Sequence, residues 1–251
     1  MTTPAIVVQD VTVTFRPLLD RKPTLRKSLG RMRHREKETL VALDNVSLTV
    51  DKGEAFGIIG ANGAGKSTLL KVMAKTLKPD EGTVNVYGKT STLLSLGLGM
   101  KHDLSGRRNV YLGGLAAGLR KAEIDEKFDS IVDYADIGPA IDRAVKTYSS
   151  GMFARLAFSV AMAMEPNIIL LDEVLAVGDE AFREKSMQTM RDLLAETGTI
   201  VFVSHALPSV AEFCDRTMWF DRGRIRAMGD SGAVVEEYRD EVTQARAHTS
   251  R

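Results

Sequence analysis

Cysteine is nearly absent from this 251-residue chain, where Cys214 stands alone. A disulfide within the chain is excluded, and a reducing cytoplasm is the expected setting. Long apolar runs are also missing. The best stretches, 168–171 and 156–164, fall short of the roughly 18–20 residues that a membrane-spanning helix needs. The opening residues, MTTPAIVVQD, have neither a basic start nor a long apolar core, so no secretory signal is expected. The protein is expected to be soluble, with any membrane role coming through a partner or a surface contact. Glutamine is scarce and occurs only as Gln9, Gln188 and Gln244.

What is present is an apolar fraction of 44% and a charged fraction of 27%, enough for a sizeable core in a globular chain. The length fits one large α/β domain with sub-lobes, or two small domains. The net charge of +1 hides an asymmetry. Between Arg16 and Glu38, nine basic residues face three acidic ones, so this stretch is strongly positive and the remainder mildly acidic. Leu25, Leu29 and Met32 recur there at helical spacing. A basic amphipathic helix suits anionic lipid headgroups. It equally suits a membrane subunit, a polyanionic cargo or a solvated surface insertion. Nucleic acid is not an expected partner, because the body is acidic and lacks an aromatic stacking platform.

Alternation of apolar and polar residues predicts strands over 6–15 and 41–50. Short apolar runs predict buried strands at 55–59, 168–171 and 199–203, with a further strand at 83–87 and a hairpin of 218–220 with 224–227. Helices are predicted over 66–75 and 180–194, a mostly helical lobe over about 98–165, and a helix from 233 that fades into a polar tail. Buried strands alternating with helices imply a largely parallel sheet covered on both faces, with ligands at the strands' carboxyl ends.

The chemistry concentrates in Gly60-Ala61-Asn62-Gly63-Ala64-Gly65-Lys66-Ser67, a GxxxxGK[ST] pattern between a predicted strand and a predicted helix. Glycines let backbone N–H groups curl around phosphate, and the helix N-terminus adds free donors. Lys66 is suited to the β- and γ-phosphates, Ser67 to Mg²⁺, and Thr68 follows in the same turn. About a hundred residues on, the run 168–171 ends in Asp172 and Glu173. Asp172 is suited to Mg²⁺ and Glu173 to polarising an attacking water. The strand 199–203 ends in Ser204 and His205, a histidine able to reach a γ-phosphate.

With Tyr148-Ser149-Ser150-Gly151-Met152 and Arg155 ahead of the acidic pair, the chain resembles ABC (ATP-binding cassette) ATPases over nearly its whole length. By itself the stretch is a serine-capped amphipathic helix. The resemblance implies an α/β fold: a RecA-like P-loop core sheet, an antiparallel β subdomain and an inserted α-helical subdomain, all in one nucleotide-binding domain. It implies ATP and Mg²⁺ as ligands. It also implies a homodimer in which Ser149, Ser150 and Gly151 act on the ATP of the partner subunit, with Asp179 in a dimer-contact loop. Phe15 matches the family's adenine-stacking aromatic. A polytopic permease partner and a place on the cytoplasmic side of the plasma membrane follow from the same resemblance.

Ser150 replaces the usual glycine, and Met152 the usual glutamine. This variant, with 175–182 and 104–109, is similar to the ATPases that export polysaccharides and teichoic acids, including O-antigen and galactan exporters. Little chain follows the last predicted strand, so cargo choice is expected to lie with the membrane subunit or the lipid carrier. Other cargoes, or a non-transport ABC role, are the alternatives. The glutamine that most ABC ATPases carry between P-loop and signature has no counterpart near 96–99.

Overall fold

The structure is a computed structural model that describes residues 3–16, 39–93, 100–172, 180–196 and 198–249. The basic stretch 17–38, the 94–99 slot, Glu173 and Asp179 lie outside the described residues.

Two sheets share one core. The first is antiparallel, ordered β2 (Leu40–Asp51), β1 (Pro4–Phe15), β4 (Glu81–Val86). Its alternating strands bury one face, carrying Ile6, Val8, Leu43 and Leu48. The second has six strands, ordered β5 (Thr90–Leu93), β6 (Ile168–Asp172), β7 (Thr199–Val203), β3 (Ala55–Ile59), β8 (Arg216–Asp221), β9 (Arg224–Asp230). All its pairings are parallel except the β8–β9 hairpin. Residues of β3 and β7 are buried throughout, which is why these strands consist of continuous apolar residues.

Helices cover this sheet: α1 (Lys66–Met73), α5 (Glu180–Ala195), α6 (Leu207–Phe213) and α7 (Ser231–Thr249). A separate lobe consists of α2 (Gly106–Ala116), α3 (Lys121–Ala135) and two 3₁₀ turns, Gly138–Asp142 and Val145–Thr147. Helix α4 (Ser150–Ala163) joins the lobe to the sheet. Its Leu156 and Val160 pack in the lobe's cluster, while Phe158 packs under the six-stranded sheet.

Several expectations are corrected. Strand β4 begins at Glu81 rather than 83 and ends at Val86. Helix α1 stops at Met73, and Lys75 takes a left-handed φ of 56°. The C-terminal stretch stays helical to Thr249 instead of fading. Strand β5 and helix α6 were not anticipated. The first is a polar edge strand, and the second is a seven-residue helix with Pro208 in its first turn.

Candidate nucleotide site

Register decides which loops meet. Ile58 of β3 pairs with Val203 of β7, and Val203 pairs with Asp172 of β6. The glycine-rich loop after β3, the acidic end of β6, and Ser204-His205 after β7 therefore leave the sheet at one carboxyl edge.

Gly60 has a φ of 146°, and a Cβ there would stand 2.1 Å from the Phe220 carbonyl oxygen. Gly65 has a φ of 112°, and its Cβ would meet the Ala42 carbonyl oxygen at 2.4 Å. A side chain fits at neither position. The β8–β9 turn braces the loop: Gly223 N–H donates to the Ala64 oxygen at 2.8 Å, and its own oxygen accepts from Asp44 N–H at 2.8 Å. Lys66 is only 6% exposed. Its Nζ donates to the Gly60 and Ala61 oxygens, each at 2.9 Å.

A cavity of about 540 Å³ runs over this loop. Asn62, Gly63, Gly65, Lys66, Ser67 and Thr68 line it together with Asp172. Phe15, Leu40, Val41 and Ala42 supply the apolar part of its lining. Phe15 and Leu40 are paired across β1 and β2 and are 42% and 61% exposed. The Asp80 carboxylate accepts from Thr14 N at 2.6 Å and Thr14 Oγ1 at 2.8 Å, fixing the strand just before Phe15. Those bonds hold its pKa below the usual carboxylate range.

Ser149 caps α4, its Oγ accepting from Met152 N at 3.2 Å. Ser149 and Ser150 are exposed, and the turn 149–151 does not line its own chain's cavity. Arg155, one turn along, pairs with Asp136 at 3.0 Å and lies over the Phe182 ring.

The family model for the ABC transporter matches residues 43–176 of the chain. The chain belongs to the ABC transporter family. It is 44% identical, over 199 residues, to an O-antigen export system ATP-binding protein RfbB of Klebsiella pneumoniae, covering 79% of this chain and 81% of that one. It is 40% identical to the RfbB protein of Myxococcus xanthus across 98% of this chain, and spans 58% of that relative. The teichoic acids export ATP-binding protein TagH of Lactococcus lactis is 40% identical over 84% of this chain, which spans 45% of it. Among solved structures, a dimeric ATP-binding cassette in a post-hydrolysis state, bound to ADP and Pi, has a TM-score of 0.75 at 22% identity. That likeness covers 90% of this chain and 98% of the other. It shows the fold, an ABC cassette.

In this ABC chain the structure brings Phe15, Asn62, Gly63, Gly65, Lys66, Ser67, Thr68 and Asp172 into one cavity, while Gly60, Ala61 and Ala64 lie outside its lining. His205 lies at the same sheet edge, exposed and outside the cavity lining. Leu40, Val41 and Ala42 escaped the sequence reading as site residues, because apolar residues at the start of a strand look like core and carry no sign of a ligand. Among the described residues, no helix is long and apolar enough to cross a membrane. No cluster of three His, Cys, Asp or Glu that could hold a metal is found among them either.

Proposed function

We propose that this chain is the ATP-hydrolysing subunit of an exporter for a lipid-linked polysaccharide of O-antigen, teichoic-acid or galactan type. It would work as a homodimer on the cytoplasmic side of the plasma membrane, bound to a polytopic permease. The observation that carries the ATPase part is the cavity, lined both by apolar Phe15, Leu40 and Val41 and by a glycine loop with a buried lysine. That mixed lining suits a base joined to a polyphosphate. The cargo is supported by the names of the relatives and by the Ser149-Ser150-Gly151-Met152 variant.

In this reading Phe15 stacks on adenine and Leu40 and Val41 flank it. The loop 60–67 and Thr68 surround the phosphates. A charged phosphate oxygen is a stronger acceptor for Lys66 than the two carbonyls it now engages. The Ser67 hydroxyl and Asp172 carboxylate are oxygen donors lining one cavity, a set that suits Mg²⁺, which supplies charge neutralisation on the phosphates. Glu173 holds and polarises the attacking water, and His205 donates toward the γ-phosphate. The turn 149–151 completes the site of the partner subunit, with Asp179 at the contact between copies. The basic stretch 16–38 supplies a surface for anionic lipid.

Two variants test this. Lys66→Ala is expected to lose nucleotide binding at least tenfold in a fluorescent-ATP titration; unchanged affinity refutes the cradle. Glu173→Gln is expected to bind ATP, hydrolyse it at under a hundredth of the parent rate, and accumulate as a dimer in light scattering. Parent-like turnover removes Glu173 from the mechanism. Loss of the gene's function is expected to leave the lipid-linked glycan inside the cell, detectable by surface labelling.

A further inference from the structure

We propose that Asn109 is a positioning residue for the turn 149–151, acting through the loop 101–105. The inference rests on the proposed role of that turn at the partner's nucleotide.

Asn109 is fully buried in α2, a place where an amide side chain is costly unless every polar atom is bonded. Its Oδ1 accepts from Lys101 N at 2.7 Å. Its Nδ2 donates to the oxygens of Lys101, Leu104 and Ser105 at 3.1, 3.3 and 2.9 Å. One side chain thus gathers the backbone of 101–105 and ties it to the helix. The same loop is bonded to the segment leading into the turn. Val145 N donates to the Leu104 oxygen at 2.9 Å, Lys146 N to the His102 oxygen at 2.8 Å, and Gly106 N to the Arg143 oxygen at 3.2 Å. Lys146 Nζ also pairs with Asp103 at 3.0 Å.

Two further contacts reach α4 and its threshold. The His102 ring stacks on Phe153 at 5.4 Å between centroids. Tyr148, the residue before the capping Ser149, packs so closely on Gly106 that a Cβ there would stand 2.3 Å from its hydroxyl. The loop 101–105 is therefore a strut between α2 and the N-terminus of α4, and Asn109 is its anchor. It also follows, after Met100, the 96–99 slot where this chain lacks the family's usual glutamine.

Removing the amide takes away the acceptor of the Lys101 N–H bond and the three Nδ2 donations that draw 101–105 onto α2, while the Lys101, Leu104 and Ser105 oxygens keep only their backbone donors, Leu104 N, Val145 N and Asn109 N. The strut then loosens without touching the cavity. In the full-length protein, Asn109→Ala is expected to lower kcat for MgATP at least tenfold while KM and fluorescent-ATP affinity stay within twofold. Asn109→Asp is expected to do the same, since a carboxylate faces three carbonyl oxygens. Added to Glu173→Gln, Asn109→Ala is expected to abolish ATP-induced dimers. If Glu173→Gln alone forms no dimer, the proposed function fails, and this inference with it. If Glu173→Gln dimerises and the Asn109→Ala combination dimerises equally well with kcat unchanged, only this inference is overturned. Should Asn109→Ala fail to fold, the exposed His102 decides. His102→Ala is expected to reduce kcat at least threefold and His102→Phe to restore it by keeping the stack. Wild-type turnover in both refutes the strut.

Discussion

At the scale of the residue, Cys214 shows how burial sets chemistry. Its thiol is 7% exposed, packed near Gly57, and its pKa is pushed up to about 12 by desolvation first and then by the charges of Asp215 and Glu54. The folded thiol is thus protonated through the range where an unfolded one ionises, and thiolate is the reactive form. Ellman's reagent at pH 8.5 is expected to leave Cys214 unmodified until denaturant unfolds the chain; prompt labelling of the native protein would contradict the burial. The sign for stability follows from linkage. Between pH 9 and about 12 the native state holds a proton that the unfolded state has lost. Native stability therefore falls with rising pH by about 1.4 kcal/mol per unit relative to Cys214→Ala. Legibility at this scale was uneven. Glycines 60, 63 and 65 with Lys66 declared a phosphate loop because the chemistry needs those residues at that spacing. Asn109 was legible only as part of the 104–109 resemblance; its burial gave no sign, because a polar residue on a helix looks like surface until the loop that folds over it is known.

At the scale of the element, α4 serves two ends. Its sides are core, with Leu156 and Phe158 fully or almost fully buried, while its N-terminus presents exposed Ser149 and Ser150. A helix N-terminus carries free N–H donors and a partial positive charge, so an exposed, serine-capped start is available to an anion on another copy. Ser149→Ala removes the bond to Met152 N and is expected to cost about 1 kcal/mol of stability by denaturant titration. The loss in ATPase rate is expected to exceed tenfold at 25 °C, where the protein remains folded. A rate loss no larger than the change in folded fraction would reduce the cap to a structural part. Apolar periodicity disclosed α4, and the buried strands β3 and β7 matched their expected limits. Strand β5 was hidden because an edge strand of Thr90, Ser91, Thr92 and Leu93 lacks an apolar pattern.

At the scale of the whole molecule, packing divides unevenly. The antiparallel sheet and one face of the six-stranded sheet share a single cluster, from Ile6 and Leu43 to Ile58 and Phe220. The Arg224–Asp44 pair at 2.6 Å joins β9 to β2 across the two sheets, and Arg216 of β8 pairs at 2.9 Å with Glu54 in the turn between β2 and β3. The lobe has its own cluster around Val110, Ile124, Ile131 and Leu156, and α4 is the helix that contributes buried side chains both to it and to the layer beneath the sheet. A small, separately packed unit opens at lower free energy than a large one. Native-state hydrogen exchange is therefore expected to show α2 and α3 opening together below the global unfolding free energy. The amides of β3 and β7 should exchange only with global unfolding, and α4 should follow the sheet through Phe158. Phe158→Ala, expected to cost about 3–5 kcal/mol, should lower the protection of α4 towards that of the lobe. A single exchange free energy for all these elements would mean that lobe and sheet unfold as one cooperative unit, against the division into separate clusters.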